Sequence, residues 1–473
     1  MKRGLLLSLS AVTATTMLLG ACSDDKKPKA ADAPKASTAA SAAASQAAAP
    51  AAGGKPVKVA YQRFGDGRVM DTFLEAAKAD YEAANPGSTM ELTPIVASGD
   101  DYTTKLALLM KDKSTAPDIV HEDTYRINSD IEAGFLKPLD DYIGAWDQWS
   151  QYHDNAKNAG KALDGKTYGI PDGTDTRGLW YNKEMLTKAG IAVPWAPKTW
   201  DDVLAAARAV KEKVPGVTPI NVYASKGAGE ATSMQGFEML LYGTGGSLYD
   251  AESKKWIVGS KQFVDALGFI KAVYSEKLGP APQIALDPKL GNLVREDLLP
   301  NQKLAIALDG SWLPGTWKAA GGKPWPNWPD VLDVTGMPTQ TGQEPGHISL
   351  SGGWTWAIPA KSDNSDAAWK VIQHLQNPKY SARYTNDASQ IAVRKDVGDD
   401  GDYKKWTGQM GALSEVVAVT QYRPAYGEYP RISNEIQVAA ESVMTGQASP
   451  EKAAKTFDDA VKRIVGDDKT VTK

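Results

Sequence analysis

The chain has 473 residues, with 53 Lys and Arg against 57 Asp and Glu and a formal net charge of −4. That balance excludes a general nucleic-acid binder, which needs a basic face for phosphates. A single cysteine excludes a disulfide framework and a thiolate metal site.

Lys2 and Arg3 precede an apolar run from Leu5 to Leu19 that is too short to span a bilayer, and Leu19-Gly20-Ala21-Cys22 closes it. A small residue before cysteine, with leucine three positions ahead of it, reads as a lipoprotein signal. Residues 1–21 are then a removed leader and Cys22 a lipid-bearing first residue. The chain is expected to be exported and held by acyl chains on the outer face of the cell membrane, or on its periplasmic side. A simple export signal with an incidental cysteine is the alternative. Residues 22–55 are largely Ala, Ser, Pro and Lys, without large apolar side chains to offset the entropy of ordering, and read as a disordered tether. Residues 39–49 within it have a helix-favouring composition ahead of Pro50.

Alternation over residues 57–61 predicts a strand, and Val69, Phe73, Ala76, Ala77 and Tyr81 recur at helical spacing until Asn85-Pro86-Gly87. A strand at 90–95, a helix at 102–110 and a strand at 117–120 continue the alternation, which predicts an α/β fold with parallel pairing. Residues 178–183 read as a strand entering a helix at 184–189, and Thr199-Trp200-Asp201-Asp202 reads as a capping-box start for a helix to 213. Residues 263–274 predict a helix, 304–308 a buried strand and 355–359 another strand. Helices are expected at 365–376, 435–445 and 450–465. More than 250 folded residues predict at least two lobes.

Fourteen tryptophans stand against seven phenylalanines. Some indoles belong in a core, yet an exported chain rich in Trp, Tyr, Asp, Asn and Gln also suits carbohydrate. A sugar's C–H face packs on an indole while its hydroxyls need planar polar partners. Gly160-Lys161-Ala162-Leu163-Asp164-Gly165-Lys166-Thr167 matches the phosphate-loop pattern literally, but Tyr168-Gly169-Ile170-Pro171 follows where a helix is required. Asp164-Gly165-Lys166 reads instead as a hairpin turn. His121, His153, His347 and His374 show no i, i+4 pairing, and His-Glu-x-x-His and Gly-x-Ser-x-Gly do not occur. A glycosidase needs only two carboxylates, so an exported carbohydrate-active enzyme remains a rival reading.

Ala116-Pro117-Asp118-Ile119-Val120, Ala133-Gly134-Phe135-Leu136-Lys137-Pro138-Leu139, Gly165-Lys166-Thr167-Tyr168-Gly169-Ile170-Pro171 and Leu179-Trp180-Tyr181-Asn182-Lys183-Glu184-Met185-Leu186 follow one another in that order. Pro197-Lys198-Thr199-Trp200-Asp201-Asp202, Asp309-Gly310-Ser311-Trp312 and Gly352-Gly353-Trp354 come after them. Together they resemble the family 1 extracellular solute-binding proteins of ABC importers, which include maltose, trehalose and raffinose binders. The resemblance implies a two-lobed periplasmic-binding-protein fold of type II, each lobe a mainly parallel sheet flanked by helices, joined by crossing hinge strands. It implies crossings near residues 172–176, 337–338 and 389–394. Lobe one would be residues 56–172 plus 339–388, and lobe two 177–336 plus 390–470. It implies a monomeric binding subunit, not an enzyme, without cofactor or metal, that hands an oligosaccharide or related sugar to ABC permease subunits. A non-sugar solute in the same fold is the further alternative.

The same resemblance puts Asp175 where the maltodextrin binder has a sugar-contacting carboxylate, and Trp312 where the family offers an indole to the sugar ring. Trp354 follows two glycines that let backbone approach a ligand. Glu122 and Asp123, and likewise Phe64 and Asp66, follow strands at the ends where α/β sheets bind ligands. Asp101, Arg177, Arg394 and Tyr426 complete the candidate set. Trp325 and Trp328, in a proline-rich loop, are open between rim and packing.

Overall fold

The computed structural model describes residues 54–97, 99–401, 403–404 and 411–473. The leader, Cys22, the 39–49 segment and all but the last residues of the tether lie outside the described residues. The described residues belong to one compact unit built on two principal sheets.

The first sheet has the order β2 (Met90–Val96), β1 (Val57–Arg63), β3 (Ile119–Asp123), β13 (Gly353–Ala357), β4 (Gly169–Thr174). The second has β10 (Leu332–Thr335), β5 (Arg177–Asn182), β9 (Leu304–Gly310) and β6 (Thr218–Asn221). Each is covered on both faces. Val57, Val59, Tyr61 and Trp356 enter one apolar cluster of the first sheet, while Ala60, Val120 and Ala357 enter the cluster on its other side. In the second sheet Leu179 and Tyr181 face one cluster and Trp180 the other. Strand alternation explains the division, and full burial of each large side chain stabilises by roughly 1.5–3 kcal/mol.

Pairing is mixed, which corrects the expectation of mainly parallel sheets. β1 runs parallel to β2 and β3, but β13 is antiparallel to β3 and β4. β5 is antiparallel to β9 and β10, and only β6 with β9 is parallel. The reason is connectivity: β13 returns to the first sheet from the other cluster of elements and so enters it reversed, without the helical crossover that parallel neighbours require.

The helices arise where the periodicity puts them. Val69–Ala84 and Pro450–Val465 keep their expected bounds, and Thr199 with Asp202 forms the capping box of Trp200–Lys213. The helix expected from residue 435 begins six residues earlier, as Tyr429–Met444, because Pro430 occupies its first turn, where a missing N–H costs nothing. The phosphate-loop look-alike is a hairpin: Ala162 N–H donates to Lys166 O at 2.8 Å and Gly165 adopts φ +85°.

Three passages connect the two principal sheets. β4 runs through Asp175-Thr176 into β5. The second passage falls later than residues 337–338. β11 (Met337–Pro338) and β12 (His347–Ser351) form a small sheet with β14 (Thr420–Tyr422), and Gln340 N–H and Gln343 both donate to Gly243 O on the second sheet's side. Only at Gly352 does the chain step across into β13. Around residues 389–394 the chain touches both sides: Val393 packs in the first sheet's cluster, while Ala392, like Tyr403 and Leu413, packs with the second's. A further sheet joins β7 (Tyr249–Asp250), β8 (Lys255–Val258) and β15 (Thr470–Thr472). Among the described residues no helix is long and apolar enough to cross a membrane.

Candidate functional site

The first passage sets the chemistry, because the short link from β4 to β5 holds its side chains at the junction of the two sheets. Asp175 is buried, ion-pairs with Arg177 and accepts the Gly352 N–H at 2.8 Å. Arg177 Nη1 also donates to Leu350 O at 2.8 Å and Nε to Gln235 at 3.3 Å, and its guanidinium stands 4.7 Å from the Trp312 ring centre. Trp312, just past β9, folds back over Gly310, where a Cβ would lie 1.9 Å from the indole. A Cβ at Gly352 would lie 3.3 Å from Arg423 Nη2 and 3.7 Å from Arg177 Nη2, so glycine lets this backbone pass between two guanidinium groups.

From the first sheet come the facing groups. Trp354 is half-buried, stacks on His121 with centroids 4.7 Å apart, and meets Phe64 and Tyr102 edge-on, each at 5.9 Å. His121 is itself held by Asp172 at 2.7 Å. Phe64, at the end of β1, is 42% exposed. Asp123 lies opposite Trp354 in the β3–β13 register and accepts a hydrogen bond from Arg423 Nη2 at 2.6 Å. On the other flank Arg295 Nη2 donates to Phe64 O at 3.1 Å. Asp309, behind Arg295 and Arg177, accepts from Tyr223 OH and Gly310 N–H, both at 2.8 Å. Burial pushes its carboxyl up while those bonds and the two arginines pull it down.

Two π-helical stretches carry residues into this junction: Thr232–Glu238 brings Met234 and Gln235 to Arg177, and Val294–Leu298 brings Arg295 to Phe64. Such bulges re-aim side chains and recur at functional sites. Gln235, Arg295 and Arg423 carry no motif by which the sequence would have singled them out.

Asp175, Arg177, Trp312, Trp354, Asp123 and Phe64 are therefore brought to one junction. The other candidates are not. Glu122 points the opposite way from Asp123, as strand alternation requires. Burial, with Asp130 beside it, holds its carboxyl well above the usual range. Arg394 is buried against Asp396, Gln148 and the Gln376 carbonyl, and Tyr426 packs on Tyr249 and Trp256. Asp66 is exposed beside Lys323, and Asp101 is exposed in the first turn of helix Gly99–Met110. Trp325 and Trp328 both pack on Trp317. Among the described residues no group of three or more His, Cys, Asp or Glu is placed to hold a metal.

Glu238, at the end of the first π-helical stretch, accepts from Tyr429 OH at 2.5 Å and is pushed up to about 8, chiefly by burial. The folded state therefore binds a proton that the unfolded chain, near its ordinary value, has released. Stability attributable to this group falls as pH rises from roughly 4.5 towards 8. Glu238→Gln is expected to flatten that slope and to raise the melting temperature at pH 8, as read by thermal scans at several pH values.

A model of the bacterial extracellular solute-binding proteins matches residues 65–382. A putative binding protein of Brucella abortus is 23% identical over 398 residues, 81% of this chain and 87% of that one. The galactooligosaccharide-binding protein of Bacillus subtilis is 24% identical over 348 residues, 72% of this chain and 75% of that one. An ABC transporter solute-binding protein of Thermotoga lettingae, solved with alpha-D-tagatose, superposes with a TM-score of 0.76 at 24% identity, covering 87% of this chain and 100% of that one.

Proposed function

The chain belongs to the bacterial extracellular solute-binding proteins and takes their two-lobed periplasmic-binding-protein fold of type II, and from that premise we propose that it captures an oligosaccharide or related sugar between its lobes. The observation that carries this reading is the junction itself. Two indoles, Trp312 just past β9 and Trp354 in β13, are each backed on one face, by Arg177 and His121, and the charged groups of Asp175, Arg177 and Asp123 stand beside them. An indole so held presents an apolar face to a sugar ring, and the charged planar groups match its hydroxyls with charge-assisted hydrogen bonds.

The lobes close because the closed form adds contacts from both sides, and a ligand shifts that equilibrium only by its preference for the closed form. The loaded protein then presents the sugar to ABC permease subunits, and hydrolysis of ATP occurs in other chains. Cys22, lipidated, tethers a monomer to the outer face of the membrane. The family consists of binding proteins, and this member returns its sugar unaltered.

Incubating the purified protein with a panel of oligosaccharides tests the reading. A stoichiometric complex from which the sugar is recovered intact is expected, whereas shortened sugar would make it a hydrolase. Trp312→Ala is expected to weaken binding by about 1–3 kcal/mol, the range for a lost stacking face and its desolvated neighbours, with little change in melting temperature. Calorimetric titration reads the first and a thermal scan the second.

A further inference from the structure

Arg423 occupies an environment unlike that of any other arginine described above. It follows β14, on the second sheet's side, yet its Nη2 donates at 2.6 Å to Asp123 at the end of β3 in the first sheet. Its Nη1 donates at 3.1 Å to Glu230, which precedes the π-helical stretch Thr232–Glu238. Its guanidinium plane lies 4.3 Å from the ring centre of Tyr125, two residues beyond Asp123. Tyr125 in turn leaves its own sheet's clusters, packs into the second sheet's apolar cluster and meets Tyr429 edge-on at 5.8 Å. The same flank is fastened again where Asn128 donates to Ala425 O and where Glu132 fills the space a Cβ would need at Gly427. The Arg423 side chain is only 4% exposed.

These contacts have one property in common. Apart from the Glu230 ion pair, each joins the 123–132 segment, which follows β3 of the first sheet, to the 423–429 segment on the second sheet's side, so each is lost if the lobes part. When they part, Asp123 leaves with one lobe, Arg423 keeps Glu230, and water takes the vacated places. A contact made in one state and not in the other shifts the equilibrium by its own net worth, whatever the ligand is. Arg423 can make this contact from both ends because its planar fork serves two carboxylates at once while its face stacks on an aromatic ring.

Resting on the sugar-capture reading above, we infer that Arg423, clasped by Asp123, Glu230 and Tyr125, is a positioning residue that sets how far the lobes are closed before any ligand arrives. Through that population it scales the affinity for every ligand by a common factor. Apparent affinity is the intrinsic affinity reduced by the fraction of protein in the competent state, so weakening the clasp lowers all affinities together and leaves the order of preference among ligands unchanged.

The test compares the full-length chain with its Arg423→Gln and Glu230→Gln variants. Distances between spin labels at Lys105→Cys and Lys188→Cys, in a Cys22→Ser background, report the lobes without any ligand; both lysines are exposed. Arg423→Gln is expected to move the distribution towards the longer distance and Glu230→Gln to move it less, because the Asp123 contact survives. Across a panel of saccharides Arg423→Gln should weaken binding by about tenfold, by the same factor for each, with the loss mainly in a faster dissociation rate. An unchanged label distance in both variants would overturn the inference, as would losses that differ from sugar to sugar, since they would make Arg423 a ligand contact. A native chain that binds no saccharide would instead defeat the sugar reading and leave the label distances as the judge of the clasp.

Discussion

Asp175→Ala is expected to weaken saccharide binding by about a hundredfold or more and to lower the melting temperature at the same time. Asp175 is the carboxylate partner of Arg177, and both side chains are almost wholly buried. Removing one member of a buried ion pair leaves the other charge uncompensated in a poor solvent, at a cost of about 3–5 kcal/mol. Here the stranded group is a guanidinium that also holds Gln235 and backs the Trp312 ring, so the loss passes from the passage strand to the sugar-facing indole. Gly352 N–H loses its acceptor as well, at the point where the second passage crosses. Asp175→Asn keeps the shape and one acceptor and should retain most of the melting temperature while still weakening binding. Paired calorimetry and thermal scans on the two variants separate the lost charge from the lost geometry. Undiminished affinity in Asp175→Ala would remove this pair from the site.

Arg394→Ala is expected to behave in the opposite way, with a large loss of stability and saccharide affinity unchanged. Its guanidinium is buried on the first sheet's side, donates to Asp396 at 2.9 and 2.6 Å and to the Gln376 carbonyl at 2.6 Å, and lies 5.4 Å from the Tyr152 ring centre. Truncation removes these bonds, leaves the Gln376 carbonyl without this donor and opens a cavity, for a combined cost of about 2–4 kcal/mol. None of these partners reaches Trp312, Trp354 or Asp175. Urea unfolding reads the stability and titration of the folded variant reads the affinity. A loss of binding larger than the fraction unfolded would return Arg394 to the ligand.

The contrast between these two arginines shows where the sequence is legible and where it stops. Local periodicity and caps locate the helices because they are local: Thr199 and Asp202 meet within one turn, and the apolar stripe of Pro450–Val465 needs only its own spacing. Pair orientation is not local. β13 is antiparallel to its neighbours because of where the chain has been since β12, and no residue in Gly353–Ala357 states that. The late crossing at Gly352 was hidden for the same reason, since Met337–Pro338 looks like an exit yet pairs with His347–Ser351. Among the proposed site residues, Asp123, Phe64, Trp312 and Trp354 lie next to a strand end or a glycine turn, which is a local signal that the sequence carries. Glu122 and Asp123 share that signal, yet strand alternation sends such neighbours to opposite faces, and position at a strand end does not say which of the two faces the junction. Arg423, Gln235 and Arg295 act through partners roughly 60 to 300 positions away along the chain, and nothing in their own neighbourhoods marks them.

The most direct test is a crystal structure of the protein grown with the saccharide that binds it most tightly. The account predicts the sugar enclosed between the two sheets, with ring faces on Trp312 and Trp354 and hydroxyls within hydrogen-bond distance of the Asp175 and Arg177 pair. A saccharide seated on the outer surface of either lobe, with those two indoles untouched, would contradict it.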